Sequence, residues 1–102
     1  MESRMTGLRR YQNKRDASEA AIVDALRLVG CSVVRMDAPC DLLVGFRGTT
    51  HLVEVKTGKG KPTKAQWEFA SEWRGSPVYI FRTVESALDH VKIWSSGERE
   101  AA

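Results

Sequence analysis

The chain is poor in the residues from which small proteins build metal clusters and cross-links. Its 102 residues include two cysteines, Cys31 and Cys40, and two histidines, His51 and His90. No Cys-x-x-Cys pair occurs and the histidines lie far apart in sequence, which argues against a structural zinc site with its four closely spaced ligands. Both cysteines read as reduced, half-buried small hydrophobes, as expected in the cytosol. A long apolar run is missing too. Nothing approaches the roughly 20 residues that span a bilayer, and Met1-Glu2-Ser3-Arg4 lacks the apolar segment of a secretory signal. No membrane partner and a cytoplasmic location are expected. Repeats, low-complexity segments and domain linkers are also absent from the sequence.

What remains is an ordinary globular composition, 42% hydrophobic and 28% charged. The length suits one core and is short for two. The net charge of +3 says little by itself, but the cations cluster: Arg4, Arg9, Arg10, Lys14 and Arg15 near the start, and Lys56, Lys59, Lys61 and Lys64 in the middle. Such clusters hold phosphate backbones, and a solvated tail and loop have the same composition.

Residues 1–14 have no apolar period and read as a flexible basic arm, 15–94 as one domain and 95–102 as a frayed tail. A helix is expected over Ala17–Val29, with Asp16 as its cap, Gly30 as its stop and Ile22, Leu26 and Val29 as its inward stripe. Strands follow at Cys31–Arg35, Asp41–Phe46 and Thr50–Lys56, the last two joined by a tight hairpin connection at Arg47-Gly48-Thr49. Beyond a Gly/Lys loop, a helix at Lys64–Trp73 is capped by Thr63. Val78–Phe81 is a fourth strand. Thr83 caps a last helix that ends near Trp94, with Val84, Leu88 and Val91 inward. The order α-β-β-β-α-β-α implies an α/β fold, a mixed four-stranded sheet flanked by helices.

Four polar residues interrupt this apolar pattern. If Arg47 and Gly48 form a two-residue turn, Asp41 stands opposite Glu54, with Cβ atoms roughly 4.5–5.5 Å apart. Two carboxylates so placed repel, and a divalent cation between them would offset the repulsion. Strand alternation puts Lys56 on the face of Glu54, where it either serves the site or neutralises the acids as a surface ion pair. Glu19 shares the stripe of Ile22 and Leu26, where a carboxylate needs a partner or a metal. Gln66 shares the stripe of Phe69, Ala70 and Trp73. Asp16-x-x-Glu19 and Thr63-x-x-Gln66 also spell capping boxes, so each polar residue has a structural alternative. Read as site residues, both helices aim at the sheet end where Asp41, Glu54 and Lys56 converge.

This order of elements, with Asp41, Glu54-Val55-Lys56, Glu19 and Gln66 on them, resembles the PD-(D/E)XK nuclease superfamily. The chain is similar above all to its small stand-alone VRR-NUC members, many of them from phages. Pro39-Cys40-Asp41 departs from the family pattern by one residue between proline and aspartate. The resemblance, over about residues 16–92, implies a restriction-endonuclease-like core and magnesium-dependent cleavage of DNA, often branched DNA such as four-way junctions, in a bacterial or phage-infected cell. On it, Asp41, Glu54 and the Val55 carbonyl hold Mg²⁺ or Mn²⁺, with Glu19 direct or through water. Asp41, Glu54, Lys56 and Gln66 carry the chemistry. Arg9, Arg10, Lys14, Arg15, Lys59, Lys61 and Lys64 hold the DNA backbone. An exposed sheet edge and the two cuts of a symmetric junction point to a homodimer. The alternatives are a catalytically silent DNA-binding module and a protein-interaction subunit of the same fold, the latter using Trp67, Trp73 and Trp94.

Overall fold

Two short-range signals lay out the chain: a turn at Arg47-Gly48 and the alternation of apolar residues on either side of it. In the computed structural model, which describes residues 17–97, the elements are α1 (Ala17–Leu28), β1 (Ser32–Arg35), β2 (Leu42–Phe46), β3 (Thr49–Val55), α2 (Lys64–Glu72), β4 (Tyr79–Phe81) and α3 (Val84–Ser96). This is an α/β arrangement with one mixed sheet, ordered β1-β2-β3-β4. The first two pairings are antiparallel, and α2 crosses over to a parallel β4. The basic arm at 1–14, Arg15, the Asp16 cap and residues 98–102 lie outside the described residues. Among the described residues no helix is long and apolar enough to cross a membrane.

Arg47 and Gly48 both have positive φ, 48° and 85°, the requirement of a two-residue turn whose twist matches that of the strands it joins. The turn fixes the register: Phe46 faces Thr49, and the ladder runs without a slip to Leu42 opposite Val53. Alternation then sorts the side chains into two layers. Leu42, Val44, Phe46, His51 and Val53 are buried on one face, together with Val33 of β1. There they meet α1 and α3, whose Ile22, Leu26, Ala87 and Val91 complete the core. Leu43, Leu52 and Glu54 belong to the other face, where α2 lies.

The helices differ from expectation in three places. In α1 the buried stripe is Glu19, Ile22, Val23 and Leu26, whereas Leu28 is 86% exposed and Val29 is exposed as well. The helix stops at Leu28, and the chain leaves through Val29-Gly30, carrying Val29 off the stripe. α2 buries no residue at all. Among the described residues it is the single helix on its face, and of its expected inward stripe only Gln66 and Phe69 are half-buried. α3 continues through Ser95 and Ser96, where a frayed tail was expected, and ends at Gly97 in the left-handed conformation. Its Trp94 stacks on His51 at 3.8 Å between ring centres, nearly parallel. Trp94 is thus a core residue, while Trp67 and Trp73 are 64% and 47% exposed.

Candidate active site

The antiparallel ladder ends at Leu42 and Val53, and one residue further Asp41 and Glu54 come together. Asp41 Oδ2 accepts a hydrogen bond from the Val55 amide at 2.8 Å, so the aspartate side chain closes the end of the ladder. Glu54 is only 3% exposed. Burial, then the neighbouring Asp41 through a shared hydrogen bond and its charge, push the Glu54 carboxyl from the ordinary 4.5 to about 7. The Lys56 ammonium and the Cys40 thiol pull it the other way. Cys40 is itself buried, and that burial, reinforced by Glu54, raises its thiol to about 12. Cys40 is therefore a neutral thiol beside the acids, not a nucleophile.

Gln66 reaches this pair from α2. Its Nε2 donates to Glu54 Oε1 at 3.1 Å. Its Oε1 meanwhile accepts from the Thr63 amide at 2.9 Å, and Thr63 Oγ1 accepts from the Gln66 amide at 3.1 Å. The sequence posed capping and site as alternatives for Gln66, and one side chain does both. Lys56 is half-buried just past the end of β3, where its amide donates to the Phe81 carbonyl at 3.1 Å. β4 thus extends the support of β3 beyond the last formal strand residue and holds Glu54-Val55-Lys56 in extended form.

Glu19 is placed differently from the sequence reading. Its carboxylate, 4% exposed, lies 3.1 Å from the Arg35 guanidinium. Arg35 pairs with Leu42 and so belongs to the layer of Leu42 and Val53, the one covered by α1. Glu19 therefore sits at the right end of the sheet but in the layer opposite Glu54. A buried carboxylate needs a counter-charge, and its own layer supplies one. Alternation from the inward Val33 would have found this partner two residues on.

A second contact missing from the sequence reading orders the lysine loop. Arg82, just past β4, donates through Nη1 to the Gly60 carbonyl at 2.7 Å and the Gly58 carbonyl at 3.3 Å. This clamps the loop bearing Lys59 and Lys61, both exposed, as is Lys64 at the start of α2. No spacing rule links Arg82 to that loop, because the contact spans α2 and β4. Arg9, Arg10, Lys14 and Arg15 lie outside the described residues.

The donor set bears on the expected metal. Among the described residues no three or more His, Cys, Asp and Glu side chains gather as a ligand set. Asp41 and Glu54 nevertheless offer a pair of hard oxygen donors, and burial, with the neighbouring Asp41, raises the Glu54 carboxyl. Mg²⁺ commonly takes one or two carboxylates and completes its shell with waters and substrate phosphate. The residues therefore fit Mg²⁺ or Mn²⁺ bound by two carboxylates. Comparison of the chain with protein-family models, with curated proteins and with solved structures gives no match in any of the three.

Proposed function

We propose that the chain is a divalent-metal-dependent endonuclease that hydrolyses DNA phosphodiester bonds. One observation carries this reading: Asp41, Glu54, Lys56 and Gln66, drawn from a strand end, a strand and a helix, meet at one end of the sheet, with Glu54 held nearly out of solvent. Isolated surface ion pairs have no need of such convergence. The resemblance to PD-(D/E)XK nucleases supports the same assignment and points to branched DNA as substrate.

The roles follow from chemistry. Asp41 and Glu54, with the Val55 carbonyl, would hold Mg²⁺ or Mn²⁺. Such an ion, when bound, supplies Lewis acidity toward the phosphate and acidifies an attacking water. Lys56 stands next to Glu54 along the strand and stabilises negative charge developing on the phosphate oxygens. Gln66 fixes the Glu54 carboxylate through its amide nitrogen and so presents the other oxygen to the site. Lys59, Lys61 and Lys64 bind the backbone without reading sequence. Glu19, engaged by Arg35, braces the sheet end from the opposite layer.

The test is incubation with linear, flapped and four-way DNA in Mg²⁺, Mn²⁺ or EDTA. Cleavage is expected with metal alone, and Asp41→Ala and Glu54→Ala should each remove most of it while remaining folded. Lys56→Ala should bind DNA but cleave roughly 10²–10⁴-fold more slowly in single turnover at saturating DNA, the range for loss of an electrostatic or acid–base group. Undiminished cleavage in EDTA would refute the metal role. DNA binding without cleavage in any metal would leave a catalytically silent binding module.

A further inference from the structure

On α2, the residue after Gln66 turns a large aromatic side chain to solvent, about 100° round the helix from the side that enters the site. Trp67 is 64% exposed. Trp73 is accounted for by the fold. It stacks on Phe69 at 5.3 Å, and it lines an apolar hollow with Pro39, Leu43 and Leu52. Among the described residues no ring or cation lies against Trp67. Its ring is thus open to a ligand, and tryptophan is enriched at binding surfaces.

Charge identifies the ligand. The stretch 56–74 holds five cations, Lys56, Lys59, Lys61, Lys64 and Arg74, against two acids, Glu68 and Glu72, a local excess equal to the +3 of the entire chain. At about 100° per residue, Lys64 and Ser71 flank Trp67 on the helix, while Glu68 and Glu72 are turned about 100° and 140° away. The indole is therefore bordered by a lysine, and it follows directly in the chain on Gln66, whose side chain reaches Glu54. A basic track with an aromatic ring set into it is how proteins hold single-stranded nucleic acid: cations follow the phosphates and the ring stacks on a base. A second copy of this chain, presenting the same basic stretch, would be repelled there by like charge.

We propose that Trp67 is a base-stacking residue, and that the nucleic acid taken by this site presents an unpaired base beside the carboxylate pair. This rests on the nuclease reading only for the link to cleavage. Binding is separable from it, because paired bases inside a duplex offer no open face to an indole.

The experiment measures binding of the full chain to oligothymidylate and to a blunt duplex in EDTA, by anisotropy of labelled DNA and by tryptophan fluorescence. Wild-type fluorescence should be quenched by oligothymidylate, and Trp67→Phe should lose most of the quench while keeping much of the affinity. Trp67→Ala should bind oligothymidylate about tenfold more weakly, the loss of one stacked base, with duplex affinity unchanged. Lys61→Ala should weaken both and lower the salt slope. With Mg²⁺, Trp67→Ala should lose cleavage of flapped DNA more than of duplex. Equal oligothymidylate binding by wild type and Trp67→Ala overturns the proposal, and so does a wild-type dimer in light scattering that Trp67→Ala converts to monomer. Trp67-dependent binding with no cleavage of any DNA would uphold the stacking residue and sink the nuclease reading alone.

Discussion

Gln66 illustrates how much one amide can decide. A capping box accepts glutamate or glutamine at its third position, but only glutamine has a second pole that donates, and Glu54 needs a donor. Gln66→Glu should keep α2 capped yet set a third carboxylate against the pair. Far-ultraviolet circular dichroism is expected to stay near wild type while cleavage collapses. Gln66→Ala loses both bonds and should also cost about 1 kcal/mol in urea unfolding; wild-type activity in both variants would remove Gln66 from the site. Glu54 makes a separate prediction. Its carboxyl titrates near 7 when folded and near 4.5 otherwise, so over that range the folded state holds a proton that the unfolded state releases. Stability then falls as pH rises from about 5 to about 8. In EDTA the melting temperature should drop across that window, and Glu54→Gln should flatten the slope. A divalent metal, which needs the ionised carboxylate, should restore stability most at the alkaline end. A flat wild-type profile would mean that Glu54 titrates normally.

Among the elements, the lysine loop gains its order from a residue 22 and 24 positions away. Both bonds leave one nitrogen, Nη1, so Arg82→Lys keeps the charge but loses the longer, planar side chain that carries that nitrogen to the two carbonyls. It is expected to resemble Arg82→Ala, with weaker DNA binding and slower cleavage but an unchanged salt slope, because no phosphate contact is removed. A loss confined to Arg82→Ala would instead assign Arg82 a direct charge role. The elements also mark what was legible beforehand. Arg47-Gly48 gave the β2–β3 register from two letters, and with it the meeting of Asp41 and Glu54, because a turn and a strand period are local rules. The apolar stripe of α1 was legible as far as Leu26 and failed at Val29, since periodicity does not say where a helix stops. The inward stripe of α2 failed for a different reason: spacing identifies a face, but whether a layer exists to cover it is a tertiary matter. The Glu19–Arg35 pair and the Arg82 clamp were missed because each joins elements whose proximity only the assembled fold creates.

At the scale of the molecule, the fold is lopsided. Among the described residues, one face of the sheet is sealed by two helices and a continuous apolar core, while the other carries the acids under a single helix. α2 is held at its start by Gln66 and near its end by Trp73, whose indole lies so close to Gly75 that a Cβ there would come within 2.6 Å of it. Between these points it fully buries no residue, and only Phe69 is half-buried. Its backbone hydrogen bonds can therefore open without disturbing Val44, Val53 or Phe81. In native-state hydrogen–deuterium exchange, the amides of 67–72 should exchange through a small local opening, while those of β2 and β3 wait for global unfolding. Bound DNA should slow the first set and leave the second nearly untouched. The helix that supplies Gln66 and Trp67 would then be a segment whose order is completed by its ligand. Equal protection of α2 and the central strands in the free protein would show that the two faces unfold as one.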